Sequence, residues 1–282
     1  MYLAASSAKN SACLSRQVGA ALTDEKGEMI SVGWNDVPKF GGDLYKSTLS
    51  DYGGINKSDH RCMNIDAGIC FNDQEKNLMV NLIYDLLNDR KLLIASNSPL
   101  FKEIHESLPD ELKGKLIDTE KIIKYYLRET KIKSLVEFSR SIHAEMHAII
   151  MGSQAMGSRV KGGKLFITTY PCHNCARHII VAGIKDVYYI EPYTKSLTMK
   201  LHFDSVTEDE TDDKKLRILM FEGVGPNRYL ELFEMKGDRK HKDTGIMLNR
   251  RVAGKPKTTI TLNAISDIED IVSKHFQQHG NE

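Results

Sequence analysis

Four side chains in two short runs of this sequence could together hold a metal ion and move protons. His143 and Glu145 share one run, and Cys172 and Cys175 share a second run. One imidazole and two thiolates suit zinc, and three protein ligands leave the fourth position of a tetrahedral ion to water. Zinc lowers the pKa of such a water to about 7, and a neighbouring carboxylate, here Glu145, can transfer its protons. The sequence therefore predicts a catalytic zinc site.

The elements predicted around these residues could bring both runs into one pocket. Residues 141–154 carry apolar side chains at helical spacing, which predicts an amphipathic helix with His143 near its N-terminus. Residues 164–169 are predicted to form a strand, after which Cys172 opens the next helix. The free N–H groups and the dipole at that helix N-terminus favour a thiolate.

Other interpretations of these residues fit their spacing less well. A Cys-x-x-Cys pair alone also occurs in structural zinc knots and redox sites, but the upstream His-x-Glu favours the catalytic site. His143 and His147 are spaced as in zinc proteases, whose Glu directly follows the first His, whereas Glu145 comes one position later. His147 is therefore predicted to line the pocket wall or the core.

Length and composition set broad limits on the molecule. The 282 residues are 41% hydrophobic, enough for one large domain or two small ones. A net charge of +1 argues against strong electrostatic binding to nucleic acid. The sequence has no run of 18 apolar residues and no secretory signal, and its five cysteines suit a reducing cytosol, so we expect a cytoplasmic protein without a membrane segment. Residues 157–164 approach a P-loop but lack the Ser or Thr after the Lys.

Several separate blocks of sequence resemble the deoxycytidylate deaminases, a family of the zinc-dependent cytidine deaminase superfamily. His-x-Glu followed by Pro-Cys-x-x-Cys is the signature of zinc nucleobase deaminases. The blocks occur in the order of the family and lie within residues 1–35 and 135–195. They are residues 11–20, Gly33-Trp34-Asn35, His143-Ala144-Glu145, residues 170–176 and residues 182–187.

This resemblance implies an α/β fold, a cytidine-deaminase-like three-layer α/β/α sandwich around a mixed five-stranded sheet. The pattern predicts a helix at 2–12, a hairpin of strands 18–23 and 28–34, and further strands at 186–190 and 216–221. A large helical insertion at 36–133 carries predicted helices at 78–93 and 112–127. A C-terminal extension at 200–282 holds an acidic solvated loop at 204–215, a basic surface run at 236–242 and a closing helix at 265–276.

The whole chain, residues 1–282, is predicted to be a single deaminase domain and a fragment of a longer protein. Its first helix has no capping residue before it. Residues 220–233 resemble the end of the deaminase half of bacterial anti-phage dCTP/dCMP deaminases, in which a P-loop kinase-like domain precedes the deaminase. The resemblance thus implies an upstream kinase-like domain.

The function implied is that of a zinc-dependent hydrolytic deaminase acting on deoxycytidine nucleotides. It would convert dCTP, dCMP or both to deoxyuridine nucleotides plus ammonia, and so deplete dCTP in anti-phage defence. The family also implies a homo-oligomer and control by an effector nucleotide or an inhibitory RNA. Two alternatives remain: a deaminase of cytidine or adenosine in tRNA or single-stranded DNA, and a zinc-stabilised binding module without activity.

Substrate contacts are expected beside the zinc site. The resemblance assigns Asn35 to the sugar, the backbone of Ala144 to the cytosine edge, and Tyr193 to the substrate. Lys9, Arg16, Lys39 and Lys195 are candidate phosphate contacts near the pocket mouth.

A second, structural zinc ion is also considered, because phage-type relatives use a cysteine that matches Cys13 in such a site. Its candidate ligands are Cys13, His60, Cys62 and Cys70, and the alternative is that these are separate residues.

Overall fold

The computed structural model describes residues 1–46, 59–65, 68–90, 92–93, 98–113 and 118–233. The chain divides into two compact units, one made of Met1 and Leu3–Glu222 and the other of Tyr2 and Gly223–Glu282. The predicted closing helix at 265–276 and the basic run at 236–242 lie outside the described residues.

The described elements include six strands and nine α-helices. The strands are β1 (Gly19–Thr23), β2 (Met29–Trp34), β3 (Lys164–Thr169), β4 (Asp186–Glu191), β5 (Val206–Thr207) and β6 (Leu216–Met220). The helices of the first unit are α1 (Tyr2–Ala8), α2 (Phe71–Asp89), α3 (Pro99–Glu106), α4 (Asp110–Lys113), α5 (Thr119–Glu129), α6 (Ala144–Met156), α7 (His173–Val181) and α8 (Thr198–Leu201). The second unit contributes α9 (Pro226–Phe233).

The strands form one mixed sheet in the order β2-β1-β3-β4-β6-β5. The pairs β1–β2 and β1–β3 are antiparallel, whereas β3–β4, β4–β6 and β5–β6 are parallel. The predicted α/β class is confirmed, but the described sheet has six strands instead of five. The additional strand β5 lies in the stretch 204–215, which was predicted to be a solvated loop because it is acidic. Val206 is only 1% exposed and pairs with Leu216, so burial of this one residue outweighs the polarity of its neighbours.

Two glycines show that helices cover both faces of the sheet. Gly33 lies against the backbone of Ala144 and Ala148 on α6, and a Cβ there would collide with it. Gly19 lies in the same way against the backbone of α1. Cross-strand partners share a face, and neighbours along a strand point to opposite faces. Because Ala20 is the partner of Gly33, α1 and α6 pack on opposite faces, which confirms the predicted α/β/α layers.

The core lies between the sheet and the helices that carry the zinc-site residues. Leu22, Leu165 and Ile167 on the strands and Ile179 on α7 are all fully buried. Each such side chain contributes about 1.5–3 kcal/mol relative to exposure. The residues at the start of α6 and α7 are therefore held in place by a well-packed core.

The described part of residues 36–133 contains helices, as predicted, with different boundaries. The helix predicted at 78–93 spans Phe71–Asp89, and the one predicted at 112–127 is two helices, α4 and α5. Asp118 is the N-cap of α5 and accepts a hydrogen bond from the Lys121 N–H at 2.8 Å. Arg128 of α5 contacts Asp73 of α2 at 2.6 Å, which ties the two helices together.

The first helix ends at Ala8 and not at residue 12. Ser11 turns its hydroxyl to the Asn35 carbonyl at 2.6 Å, a bond to the end of β2 that a continuing helix could not make. None of the helices in the described ranges combines the length and the apolar character needed to span a bilayer.

Candidate metal centre and active-site pocket

The three predicted ligands converge where two helices begin. His143 is the N-cap residue of α6, and Cys172 is the N-cap residue of α7. The His143 Nδ1 atom lies 3.3 Å from Cys172 Sγ and 3.2 Å from Cys175 Sγ. The three ligand atoms lie within 4.8 Å of one another, and no other such group of His, Cys, Asp or Glu occurs among the described residues.

These spacings fit a single zinc ion. With Zn–N and Zn–S bonds of about 2.0 and 2.3 Å, tetrahedral ligands lie about 3.5 Å apart. Two thiols and an imidazole are the donor types that zinc prefers. When bound, zinc would supply Lewis acidity towards a water molecule.

The local environment makes Cys172 a thiolate. The hydrogen bond with Cys175, which outweighs the cost of burial, and the nearby His143 lower the pKa of Cys172 to about 4. The Cys175 N–H also donates to the Cys172 sulfur at 3.4 Å, as expected at a helix N-terminus. Burial opposes charge on His143, but Cys172 and Glu145 outweigh it and raise its pKa to about 9. Burial also raises the pKa of Cys175.

Glu145 lies in the first turn of α6 beside these ligands. Its side chain is 4% exposed, and burial raises the pKa of its carboxyl group above the ordinary value. A raised pKa makes the carboxylate a stronger base than an ordinary Glu, which favours its taking a proton from water in general acid–base transfer.

His147, one turn after His143, has no place among the ligands. It is 4% exposed, its Nδ1 accepts a hydrogen bond from the Trp34 N–H at 3.2 Å, and its Nε2 lies 3.2 Å from Asp43. The prediction that His147 belongs to the wall or core is confirmed.

A cavity of about 520 Å³ opens over this centre and is large enough for a small organic ligand. His143, Ala144, Glu145 and Cys172 form part of its wall, and Asn35 and Tyr193 also line it. The cavity therefore brings together two of the three predicted zinc ligands, the predicted proton shuttle and the predicted substrate contacts Asn35, Ala144 and Tyr193.

Both polar atoms of the Asn35 side chain already form hydrogen bonds within the protein. Its Oδ1 accepts from the Val18 N–H at 2.7 Å, and its Nδ2 donates to the Arg16 carbonyl at 2.6 Å. The amide thus fixes the segment that carries Arg16 against the cavity. Its contact with a sugar stays a prediction.

Two of the four predicted phosphate contacts line the cavity, and the other two do not. Arg16 and Lys195 line the cavity, and Arg16 forms an ion pair with Glu191. Lys9 and Lys39 are exposed and do not line it. Their role towards phosphate stays a prediction.

The candidate ligands of a second zinc ion do not form a compact group of three in the described part of the chain. Burial raises the pKa of Cys62, and Cys13 and Cys70 add to this rise while the nearby Arg140 opposes it. The three thiols are thus near enough for their charges to interact. Cys70 also lies 3.6 Å from Ser15 Oγ, and His60 is exposed.

Sequence reasoning missed a buried network of ion pairs that is bonded to the chain next to His143. Asp36 and Asp59 both contact Arg61, at 3.5 and 2.6 Å. The Asp36 carbonyl accepts from the Ile142 N–H at 3.0 Å, next to His143. A lone Arg in a turn-rich stretch carries no sequence signal that would reveal these partners.

A family model places this arrangement among known proteins. The model of the cytidine and deoxycytidylate deaminase zinc-binding region matches residues 1–191. The chain belongs to this family. The family and the donor set agree on zinc as the metal, and the three ligands come from the matched region.

Relatives in the family match shorter stretches. ComE operon protein 2 of Bacillus subtilis is 49% identical over 55 residues, which are 20% of this chain and 29% of the relative. The deoxycytidylate deaminase of Enterobacteria phage T4 is 40% identical over 55 residues, 20% of this chain and 28% of that protein. The chain thus spans less than a third of the length of these two relatives.

One similar solved structure is the dCMP deaminase from the cyanophage S-TIM5 in complex with dCMP and dUMP. It is 16% identical, covers 78% of this chain and 93% of its own, and has a TM-score of 0.38.

Proposed function

We propose that this chain is a zinc-dependent hydrolytic deaminase that converts dCMP, dCTP or both to the deoxyuridine nucleotide plus ammonia. The observation that carries the proposal is the compact group of His143, Cys172 and Cys175 in a chain of this family. His143 and Cys172 line one cavity together with the buried Glu145. The curated deoxycytidylate deaminases among its relatives support the choice of cytosine nucleotides.

The side chains of this centre can carry out the proton transfers that deamination needs. Water oxygen bonds to C4 of cytosine while Glu145 takes a water proton and delivers it to ring N3. Glu145 then transfers the second proton to the exocyclic amine, the C4–N4 bond breaks, and ammonia leaves with a carbonyl at C4. Burial of Glu145 excludes bulk water from this relay.

The remaining residues of the cavity are proposed to orient the substrate. We assign the backbone of Ala144 to the cytosine edge, Asn35 to the sugar, and Tyr193 to a further substrate contact. The proposal requires one zinc ion per chain. A second ion at Cys13 and its neighbours, assembly into a homo-oligomer, an upstream kinase-like domain and control by nucleotide or RNA extend the proposal through the resemblance. Depletion of dCTP during phage infection belongs to the same extension.

A substrate panel tests this function. The purified full chain, carrying its zinc, is incubated with dCMP, dCTP, cytidine, deoxycytidine, tRNA and a cytosine-containing single-stranded DNA, and ammonia and uracil products are measured. We expect release of ammonia from dCMP or dCTP in a one-to-one ratio with the deoxyuridine nucleotide. Turnover of a polymer alone would overturn the nucleotide assignment, and a zinc-loaded but inert chain would favour a binding module.

A further inference from the structure

One wall of the active-site cavity comes from the insertion, and it contains a buried lysine. Lys76 of α2 lines the cavity together with His143 and Glu145, and it is only 6% exposed. Lysine is almost never buried to this extent without a partner. The position of Lys76 therefore calls for an explanation.

The protein satisfies the Lys76 ammonium group only in part. Its Nζ donates to the Lys133 carbonyl at 3.2 Å, and the nearest carboxylate, on Asp73, is 3.9 Å away. Asp73 is itself engaged by Arg128 at 2.6 Å. An ammonium group has three protons to donate, so within the described residues Lys76 keeps donor capacity that no protein acceptor uses.

A second cation reaches the same cavity without a counter-charge. Lys195, after β4, lines the cavity, and no carboxylate in the described ranges lies within ion-pair distance of it. Burial, and to a smaller extent the like charges of Arg128 and Lys195, lower the pKa of Lys76. The other two cations of the wall, Arg16 and Lys133, are paired with Glu191 and Glu129.

The same helix face also offers an unpaired acceptor. Asn72, one turn before Lys76, donates from Nδ2 to the Leu135 carbonyl at 3.2 Å, which fixes the orientation of its amide. Its Oδ1 is buried and has no hydrogen-bond partner. A buried polar atom without a partner costs free energy unless a ligand completes it. The free Lys76 protons therefore suit an anionic group, and Asn72 Oδ1 suits a hydrogen-bond donor on the same ligand.

We propose that Lys76, together with Lys195, binds the phosphate of the nucleotide substrate, so that the insertion selects nucleotides over nucleosides. This inference rests on the proposed function and identifies residues that determine its substrate class. A phosphate placed here accepts the free Lys76 protons in charge-assisted hydrogen bonds and neutralises two lysines that otherwise repel each other. A nucleoside leaves Lys195 without a counter-charge and Lys76 with only the Asp73 carboxylate, 3.9 Å away and shared with Arg128.

The test compares nucleotide with nucleoside in a Lys76→Met variant of the full, zinc-loaded chain. Methionine keeps the length and the apolar stem but removes the charge. We expect the ratio of kcat/KM for dCMP to that for deoxycytidine to fall about 10- to 100-fold, the effect of losing a hydrogen bond to a charged group. Lys121→Met, on the exposed side of α5, is the matched control and should leave the ratio unchanged.

A second variant and a binding titration test the inference if the first variant does not fold or does not turn over substrate. If Lys76→Met fails to fold by thermal melting, Lys195→Met at an exposed position should lower the same ratio. Calorimetric titration with dCMP and deoxycytidine gives the same comparison without turnover. An unchanged ratio in folded Lys76→Met, or an equal loss for both substrates, overturns the inference while wild-type turnover of dCMP upholds the proposed function. Preference of the wild type for single-stranded DNA over dCMP overturns both.

Discussion

At the scale of single residues, the account depends on Glu145 as a proton carrier and not as a ligand. It is buried beside the three ligand atoms, yet those atoms form a complete three-ligand set without it. Substitution of Glu145 should therefore separate catalysis from metal binding.

Glu145→Gln should lower kcat for dCMP by about 10²- to 10⁴-fold or more, because glutamine cannot exchange protons. Its zinc content should equal that of the wild type. Glu120→Gln, on the exposed surface of α5, is the matched control and should retain full activity. Steady-state assays with elemental analysis of the same samples decide the point, and an active or a zinc-free Glu145→Gln would refute the assignment.

Arg61 is the residue whose loss should most affect stability outside the core. It is 6% exposed and faces two buried carboxylates, Asp36 and Asp59. Arg61→Met leaves both charges without compensation, so we expect a loss of about 3–5 kcal/mol in the free energy of unfolding. Chemical denaturation at neutral pH measures it, with Asp85→Asn on the exposed face of α2 as a control that changes little. A loss below about 1 kcal/mol, the value of a surface pair, would contradict this prediction.

The same ion pairs predict that the free energy of unfolding changes with pH in the acidic range. Burial would raise the pKa of Asp59, but its hydrogen bonds from Arg61 outweigh this and hold the pKa below the ordinary value. The stabilisation is thus present above the unfolded pKa of about 3.9 and is lost as pH falls through the lower folded value. The difference in unfolding free energy between wild type and Arg61→Met should therefore shrink from pH 6 to pH 3. A constant or growing difference would show that Asp59 is not the partner.

At the scale of elements, the close approach of α6 to β2 places His143 and Glu145 over the sheet. Gly33 permits this approach because its missing Cβ leaves room for the α6 backbone at Ala144 and Ala148. Ser31 on the same strand donates from Oγ to the Ala148 carbonyl at 2.7 Å. The start of α6, and with it the catalytic centre, is fixed by strand β2.

Gly33→Ala should push α6 away from the sheet. We expect a loss of about 1–3 kcal/mol in stability, the usual cost of overpacking, together with lower activity. Gly225→Ala is the control, because a Cβ there meets nothing within 4 Å. Thermal melting and kcat/KM for dCMP measure both effects. Wild-type values for Gly33→Ala would show that the helix is free to shift.

At the scale of the whole molecule, local chemistry was predictable from sequence and long-range placement was not. That His143, Cys172 and Cys175 lie close together could be predicted, because zinc chemistry demands those residue types at that spacing. Strands β1 to β4 and β6 could be identified from their apolar patterns. Strand β5 could not, because it consists of only two residues in an acidic stretch.

The insertion at 36–133 shows more clearly that the sequence does not predict long-range contacts. Its helices follow from apolar periodicity, but periodicity does not say that Lys76 meets the Lys133 carbonyl, 57 residues later in the chain. Nor does sequence reveal that Arg61 lies against Asp36. Such contacts depend on how the insertion packs on the sheet, and they supply the residues here proposed to choose the substrate.

X-ray absorption at the zinc edge of the purified full chain tests the central claim most directly, because it reports which atoms surround the ion. We predict one zinc ion per chain with two sulfur neighbours at about 2.3 Å and nitrogen or oxygen neighbours at about 2.0 Å. Absence of zinc, or a shell of four sulfurs or of none, would contradict a centre built from His143, Cys172 and Cys175.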